Sequence, residues 1–172
     1  MKVKQILSAL FTRRNKEDKE NITLVETSDA ADQAEAKQPE IISFKPGFQL
    51  TELPIITLYQ GDNNFNFLLD TGSNDSIIDS NVLNRIEHKL TNKESSLYGM
   101  EGNCQRVKKC DISLSYGDSD FPYEYLICDM KEAFGKIKSE SGVTLHGIIG
   151  SKFFNTYKYV LDFESLIAYS KA

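Results

Sequence analysis

The stretch that most constrains this chain is Phe67–Asp79, which reads FLLDTGSNDSIID. A short apolar run of the kind that lies buried in a sheet leads into Asp70. Gly72 then permits backbone angles closed to other residues, and a second apolar pair follows at Ile77 and Ile78. The pattern predicts a strand, a tight turn and a strand. A carboxylate in such a turn is partly desolvated, and with a second carboxylate beside it the pair would share one proton and act as acid and base together.

The sequence offers no second turn that would carry such a carboxylate, because the chain has no other Asp-Thr-Gly or Asp-Ser-Gly. A catalytic pair would therefore need two copies of the chain. The Asp-Thr-Gly-Ser sequence at 70–73, followed by the aliphatic pair at 77–78, resembles the catalytic loop of the retropepsin-like aspartic proteases, single-domain homodimers related to pepsin. Further along, Leu145–Phe154 (LHGIIGSKFF) is similar to that family's second signature, two aliphatic residues and a glycine that open a short helix. The resemblance covers residues 53–169.

The resemblance implies a mainly β fold, a small closed acid-protease-like β-barrel with one or two short helices, working as a dimer. It implies peptide-bond hydrolysis in which Asp70 activates a water. Thr71 would supply a hydroxyl that bonds across the dimer, and Gly72 a carbonyl that contacts the substrate backbone. The substrate-binding residues that it implies lie in the same loop and in a glycine-containing flap: Ser73, Asn74, Asp75, Gly99, Met100 and Gly102.

Ser73 bears on the pH dependence that the resemblance implies. Many viral relatives carry Ala at this position, whereas pepsin-like enzymes carry Ser, whose hydroxyl can bond the ionised carboxylate and favour its charged form. The sequence therefore predicts an acidic pH optimum for peptide cleavage.

The residues after Gly150 depart from the family pattern. Retroviral proteases usually have Arg here, followed by Asp or Asn, and this Arg helps to hold the dimer. The present chain has Ser151 and Lys152 instead. Dimer contacts would then be weak or built differently, for example by a terminal hairpin over Tyr159–Tyr169.

Other interpretations of the same residues remain open. The Asp70 turn could be a sheet edge closed by a polar turn, with the carboxylate bonded to nearby backbone amides. The glycines at 99 and 102 could belong to an ordinary exposed β-turn. At the level of function, the chain could be a non-catalytic relative that keeps the fold as a dimerisation or peptide-binding module, or a small β-barrel binder unrelated to proteases.

Length and composition place limits on the domain organisation and on the partners. The 172 residues suit one domain with an appendage, which divides the chain into a segment at 1–45 and a protease-like domain at 46–172. A net charge of −5 argues against nucleic-acid binding. His88 and His146 have no Cys or acidic residue at metal-ligand spacing, so neither a metal nor a cofactor is expected.

The amino-terminal segment is predicted to be flexible. Residues 2–11 fit a short amphipathic helix flanked by Lys and Arg, which could contact a membrane surface or a partner but is more often a frayed end. Asn15–Pro39 is polar and suits a linker. No apolar stretch reaches the roughly 20 residues that span a bilayer, and the apolar part of 2–11 is short for a secretion signal. With three cysteines that read as reduced thiols, we expect a cytoplasmic protein.

Hydrophobic alternation and turn residues predict the remaining elements. Ile41–Phe48 would be a first strand broken at Pro46-Gly47, Met130–Ser141 a loop, and Ser80 an N-cap to a short helix or loop over Ser80–Lys89. The predicted strands and helix are Leu53–Tyr59 paired with Phe65–Leu69, Val107–Tyr116 paired with Phe121–Cys128, a buried strand at Val143–Ile149, a short helix at Ser151–Tyr157, and a terminal hairpin of Tyr159–Phe163 with Leu166–Tyr169.

Overall fold

Short strands dominate the structure, a computed structural model that describes residues 41–98 and 104–171. The predicted amino-terminal helix at 2–11, the linker at 15–39 and the flap residues Gly99, Met100 and Gly102 lie outside the described residues. The elements are β1 (Ile41–Ser43), α1 (Lys45–Thr51), β2 (Ile55–Gln60), β3 (Asn63–Leu69), β4 (Ile77–Asp79), a 3-10 turn (Ser80–Val82), β5 (Lys89–Tyr98), β6 (Cys104–Tyr116), β7 (Ser119–Cys128), α2 (Lys131–Ser141), β8 (Gly147–Ile149), α3 (Ser151–Thr156), β9 (Tyr159–Asp162) and β10 (Ile167–Ser170).

Six strands close into a barrel. Their order is β2-β3-β8-β4-β7-β6, and the pairing of Tyr59 on β2 with Ser115 on β6 completes the circuit. Strand β8 runs parallel to β3 and antiparallel to β4, so it lies between the two strands that flank the Asp70 turn. The prediction of a mainly β, closed barrel is confirmed, although the described residues contain three short α-helices instead of one or two.

A separate three-stranded sheet joins the two ends of the domain. Strand β10 lies between β1 and β9, with Ile42 opposite Ala168 and Leu161 opposite Ala168 on the other side. The amide of Phe44 also donates to the Leu166 carbonyl at 3.0 Å. The predicted terminal hairpin is therefore present, and β1 adds a third strand to it.

Strand alternation divides the apolar side chains into two clusters, because successive side chains point to opposite faces of a sheet. The first fills the barrel interior and includes Ile56, Leu58, Phe65, Phe67, Leu69, Ile78, Ile112, Leu114 and Ile149. The second lies on the outer face, where α2 covers the barrel, and includes Leu68, Ile77, Leu126 and Ile148 with Phe134 and Ile137 of α2.

The structure corrects the prediction for the first strand. Only Ile41–Ser43 is a strand, and the residues after it form α1. Pro46 lies in the first turn of α1, where its missing N–H would have no helical partner in any case. Gly47 lets this helix approach β2, since a Cβ there would lie 2.6 Å from the Ile55 carbonyl oxygen.

The prediction of a loop over Met130–Ser141 is also wrong, because this segment is the helix α2. Phe134 and Ile137, one turn apart, are its buried residues, and Gly142 ends it with a left-handed cap. The strand predicted at Val143–Ile149 is shorter in the structure and spans Gly147–Ile149. The N-cap of the turn after β4 is Asp79 rather than Ser80, since the Asp79 side chain accepts from the Asn81 amide.

Candidate active site

Asp70 immediately follows β3 and is held by backbone bonds. Its amide donates to the Ile149 carbonyl at 2.9 Å, and its carbonyl accepts from the Ser73 amide at 3.2 Å. One carboxylate oxygen, Oδ1, accepts from the Gly72 amide at 2.9 Å. The side chain is half-buried. The carboxylate is thus fixed in direction and still accessible from solvent.

The two sequence motifs lie side by side and are bonded to each other. The amide of Ser151 donates to the Ser73 carbonyl at 2.8 Å, and the amide of Lys152 donates to the Asn74 carbonyl at 3.1 Å. The amide of Gly150 donates to the hydroxyl of Ser76 at 3.1 Å. Three bonds therefore tie the loop that carries Asp70 to the junction of β8 and α3.

Gly150 is required at this junction because the loop packs directly on it. A Cβ at this position would lie 2.5 Å from the carbonyl oxygen of Asp75 and 3.0 Å from the carbonyl carbon of Asn74. Gly147, at the start of β8, is confined in the same way, since a Cβ there would lie 2.5 Å from the Ile77 carbonyl oxygen. The glycines of the second motif thus allow β8 to pass between β3 and β4.

Lys152 forms an ion pair with Asp75 across the same contact, with Nζ 2.6 Å from Oδ1. Both side chains are partly exposed. Lys152, the second of the two residues after Gly150 that depart from the family pattern, therefore binds the Asp70 loop of its own chain. Asp75, predicted to contact substrate, has its charge balanced within the chain.

Ser73 is placed differently from the expectation. Its side chain is buried, and its hydroxyl donates to the Asp75 carbonyl at 2.8 Å. Within the chain, the hydroxyl thus stabilises the loop and does not form the bond to the Asp70 carboxylate on which the predicted acidic optimum depends.

The face of the barrel on which Asp70 lies is the one covered by α2. Leu68 precedes Asp70 by two residues, so alternation directs both side chains to the outer face, whereas Leu69 points into the barrel. Asp79, on β4, also contacts this helix, since its Oδ1 accepts from the Met130 amide at 3.3 Å. Val107, near the start of β6, belongs to the same apolar cluster.

The predicted site residues at 70–75 share one loop. Thr71, Gly72 and Asn74 are exposed, and the hydrogen bonds above account for the placement of the others. Sequence reasoning missed Ser76 and Asp79. The available signal was that each is a polar residue beside the apolar pair Ile77-Ile78, at a position that a strand buried on both faces would bury.

The histidines and cysteines have local roles. Nδ1 of His146 accepts from the Asn66 amide at 2.8 Å, and burial is the main cause that lowers the pKa of His146 from its ordinary value of 6.5. Burial raises the pKa of the Cys110 thiol to about 12 and that of Cys128 to about 11. Over residues 41–98 and 104–171, no group of three or more His, Cys, Asp or Glu side chains is placed to hold a metal ion.

Comparison with known proteins gives a weak structural match. No family model matches the sequence, and no curated protein matches it. Among solved structures, the chain is similar to the retroviral protease-like domain of Ddi1 from Leishmania major, with a TM-score of 0.42 and 8% sequence identity over 67% of this chain and 88% of that chain. None of the helices in the described part of the chain is long and apolar enough to cross a membrane.

Proposed function

We propose that this chain is an aspartic endopeptidase of the retropepsin-like type, whose active site forms from the Asp70 residues of two copies across a homodimer. The observation that carries the proposal is the joining of the two motifs. A half-exposed carboxylate stands at the end of a buried strand, on a loop that accepts hydrogen bonds from the amides of Gly150, Ser151 and Lys152. Such rigid placement is what a catalytic carboxylate needs.

The proposed chemistry uses two carboxylates that share one proton and hold a water between them. The ionised carboxylate takes a proton from the water as its oxygen attacks the peptide carbonyl. The protonated carboxylate donates its proton to the carbonyl oxygen. The pair thus supplies both the base and the acid without a cofactor.

The charges of the loop support a second chain as the source of the second carboxylate. Asp75 is the other acid of the loop, and its ion pair with Lys152 removes it as a partner for Asp70. Thr71 and Gly72 are exposed beside Asp70, where a second loop could approach them. Ile41 and Phe163, which are 56% and 54% exposed near the three-stranded sheet, give apolar surface for a dimer contact.

The β5–β6 hairpin supports substrate closure. After a register shift between Leu90 and Glu94, its arms pair up to Tyr98 opposite Cys104. Val107 on the second arm packs in the cluster on the Asp70 face. We propose that the glycine-containing segment between these arms closes over a bound peptide. The buried free thiols Cys110 and Cys128 fit the proposed cytoplasmic location.

The test is peptide cleavage that depends on Asp70. The protein is incubated with a mixed peptide library from about pH 4 to about pH 7, and products are read by mass spectrometry. Cleavage is expected from the parent and from Asp118→Asn, a control at an exposed turn, and its loss is expected in Asp70→Asn.

Two other results would count against catalysis. Cleavage that persists in Asp70→Asn would point to a contaminating protease. No cleavage at any pH, together with peptide binding that Asp70→Asn retains, would favour the non-catalytic peptide-binding module.

A further inference from the structure

We infer that Phe134 and Ile137 on α2 determine specificity: they fill the apolar surface beside Asp70, so that one substrate position next to the scissile bond accepts only small side chains. This inference rests on the proposed function. It goes beyond that proposal by assigning a steric limit on the substrate to named residues that neither sequence motif contains.

The direction of the side chains alternates along β3. Leu69 points into the barrel and Leu68 to the outer face, and the amide of Asp70 extends the parallel pairing by donating to the Ile149 carbonyl at 2.9 Å. Because side chains alternate, the Asp70 carboxylate shares the outer face with Leu68. At about 3.3 Å for each residue, the two positions are separated by about 7 Å along the strand.

Leu68 belongs to a row of apolar side chains that crosses the sheet. Leu68 pairs with Ile148, Ile148 with Ile77, and Ile77 with Leu126. These four residues therefore form a continuous apolar row across four neighbouring strands, one step from the level of Asp70. A peptide with its scissile carbonyl at Asp70 would direct a flanking side chain toward this row, since adjacent substrate residues are spaced by only about 3.3 Å.

Two side chains of α2, Phe134 and Ile137, belong to the same buried apolar cluster as this row. Leu68, Ile148, Ile77 and Leu126 are 0–3% exposed, and in the same cluster Phe134 is 5% and Ile137 1% exposed. A substrate side chain would thus meet α2 instead of an open apolar pocket.

The start of α2 is bonded to strand β4, and its last turn is closed by the helix's own cap. The Met130 amide donates to Asp79 Oδ1 at 3.3 Å at its start, and the Gly142 amide donates to the Lys138 carbonyl at 2.8 Å at its end. Space for a large substrate side chain therefore has to come from the α2 side chains themselves.

The test compares side-chain preference in Phe134→Ala and Ile137→Ala with that in Phe65→Ala. The control removes a similarly buried ring from β3, the strand that precedes Asp70, but on the side of the barrel interior. All are made in the Gly135→Ala background, where the added Cβ has nothing within 4 Å and favours the helix. The measured quantity is kcat/KM for matched peptides with Leu or Phe against Ala or Ser at each position beside the scissile bond.

At one substrate position, the ratio of kcat/KM for peptides with a large side chain to kcat/KM for peptides with a small one is expected to rise roughly tenfold or more in the α2 variants. This is the range that a change of pocket size gives. It should stay unchanged in Phe65→Ala. An equal ratio in all proteins, or an equal rise in the control, would overturn the inference while leaving the proposed function standing. If an α2 variant cleaves peptides that neither the parent nor Phe65→Ala cleaves, this would also support the inference.

Absence of Asp70-dependent cleavage in every protein would refute the proposed function, and the inference with it. If an alanine variant does not fold, Phe134→Leu and Ile137→Val should show a smaller rise at the same position, and an unchanged ratio in both would overturn the inference.

Discussion

Replacing Gly150 with alanine tests the contact on which the site is built. The new Cβ would lie 2.5 Å from the Asp75 carbonyl oxygen and 2.6 Å from the Asp75 carbonyl carbon. Both atoms are backbone, so no rotamer change can relieve the clash. To reach an ordinary contact of about 3.4 Å, the loop and the β8–α3 junction would have to separate by almost 1 Å, which strains the bonds from Ser151 and Lys152.

The expected loss in the free energy of unfolding is about 1–3 kcal/mol, the usual cost of overpacking. For a domain of this size, this corresponds to a fall in Tm of about 3–5 °C for each kcal/mol. The rate of peptide cleavage should fall by more than the loss of folded protein accounts for, because the displaced loop carries Asp70.

Differential scanning calorimetry measures Tm, and Gly135→Ala is the matched control. An added Cβ meets nothing at Gly135, and α2 should gain up to about 1 kcal/mol from the better helix former. A Gly150→Ala protein with the parent's Tm would contradict the contact between the two motifs.

Three further predictions concern single side chains. Lys152→Met should lower kcat more than it raises KM for peptide cleavage, and Lys152→Arg should restore most of the loss, because the ion pair with Asp75 steadies the loop; equal kinetics in parent and Lys152→Met would contradict this. The hydroxyl of Tyr125 is fully buried and has no hydrogen-bond partner in the described part of the chain, so Tyr125→Phe should raise the free energy of unfolding in urea by about 1 kcal/mol, and a loss would show a missed partner. The pKa of His146 in the folded state lies below its ordinary value of 6.5, so as pH falls the unfolded chain binds a proton at this ring before the folded chain does. The stability that is present above pH 6.5 is therefore lost as pH falls through the folded-state pKa. Tm of the parent should therefore fall more steeply with acid than Tm of His146→Gln, in which a neutral amide replaces the ring beside Asn66, and parallel curves would refute this role.

The hairpins and the Asp70 turn could be predicted from sequence because their signals are local. Gly61-Asp62 and Gly117-Asp118 are strong turn formers between alternating runs, and both lie at turns of the barrel. Asp70 follows a continuous apolar run, and the predicted place at the end of a buried strand is where it lies.

The helix α2 could not be predicted as readily, because its apolar face is narrow and its buried residues are Phe134 and Ile137. Phe134 and Ile137 are separated by Gly135 and Lys136, and Gly135 lowers the helix propensity between them. Packing against Leu68 and Ile148, which are distant in sequence, decides the outcome. Tertiary contact outweighs local propensity here.

The hydrogen bonds of the loop also depend on distant residues. The sequence could not indicate that Ser76 would accept from Gly150, or that the hydroxyl of Ser73 would donate to Asp75 instead of the Asp70 carboxylate. The Ser76 bond follows from the position of β8 between β3 and β4, which only the folded barrel determines, whereas the Ser73 bond joins residues two positions apart.

The most direct test of the central claim is subunit mixing. Parent and Asp70→Asn chains are combined at a fixed total concentration, unfolded, refolded together, and assayed for peptide cleavage. If two Asp70 residues form one site, activity should fall as the square of the parent fraction, because mixed dimers are inactive. Activity that falls in direct proportion to the parent fraction would show that a single chain suffices, which would contradict the account.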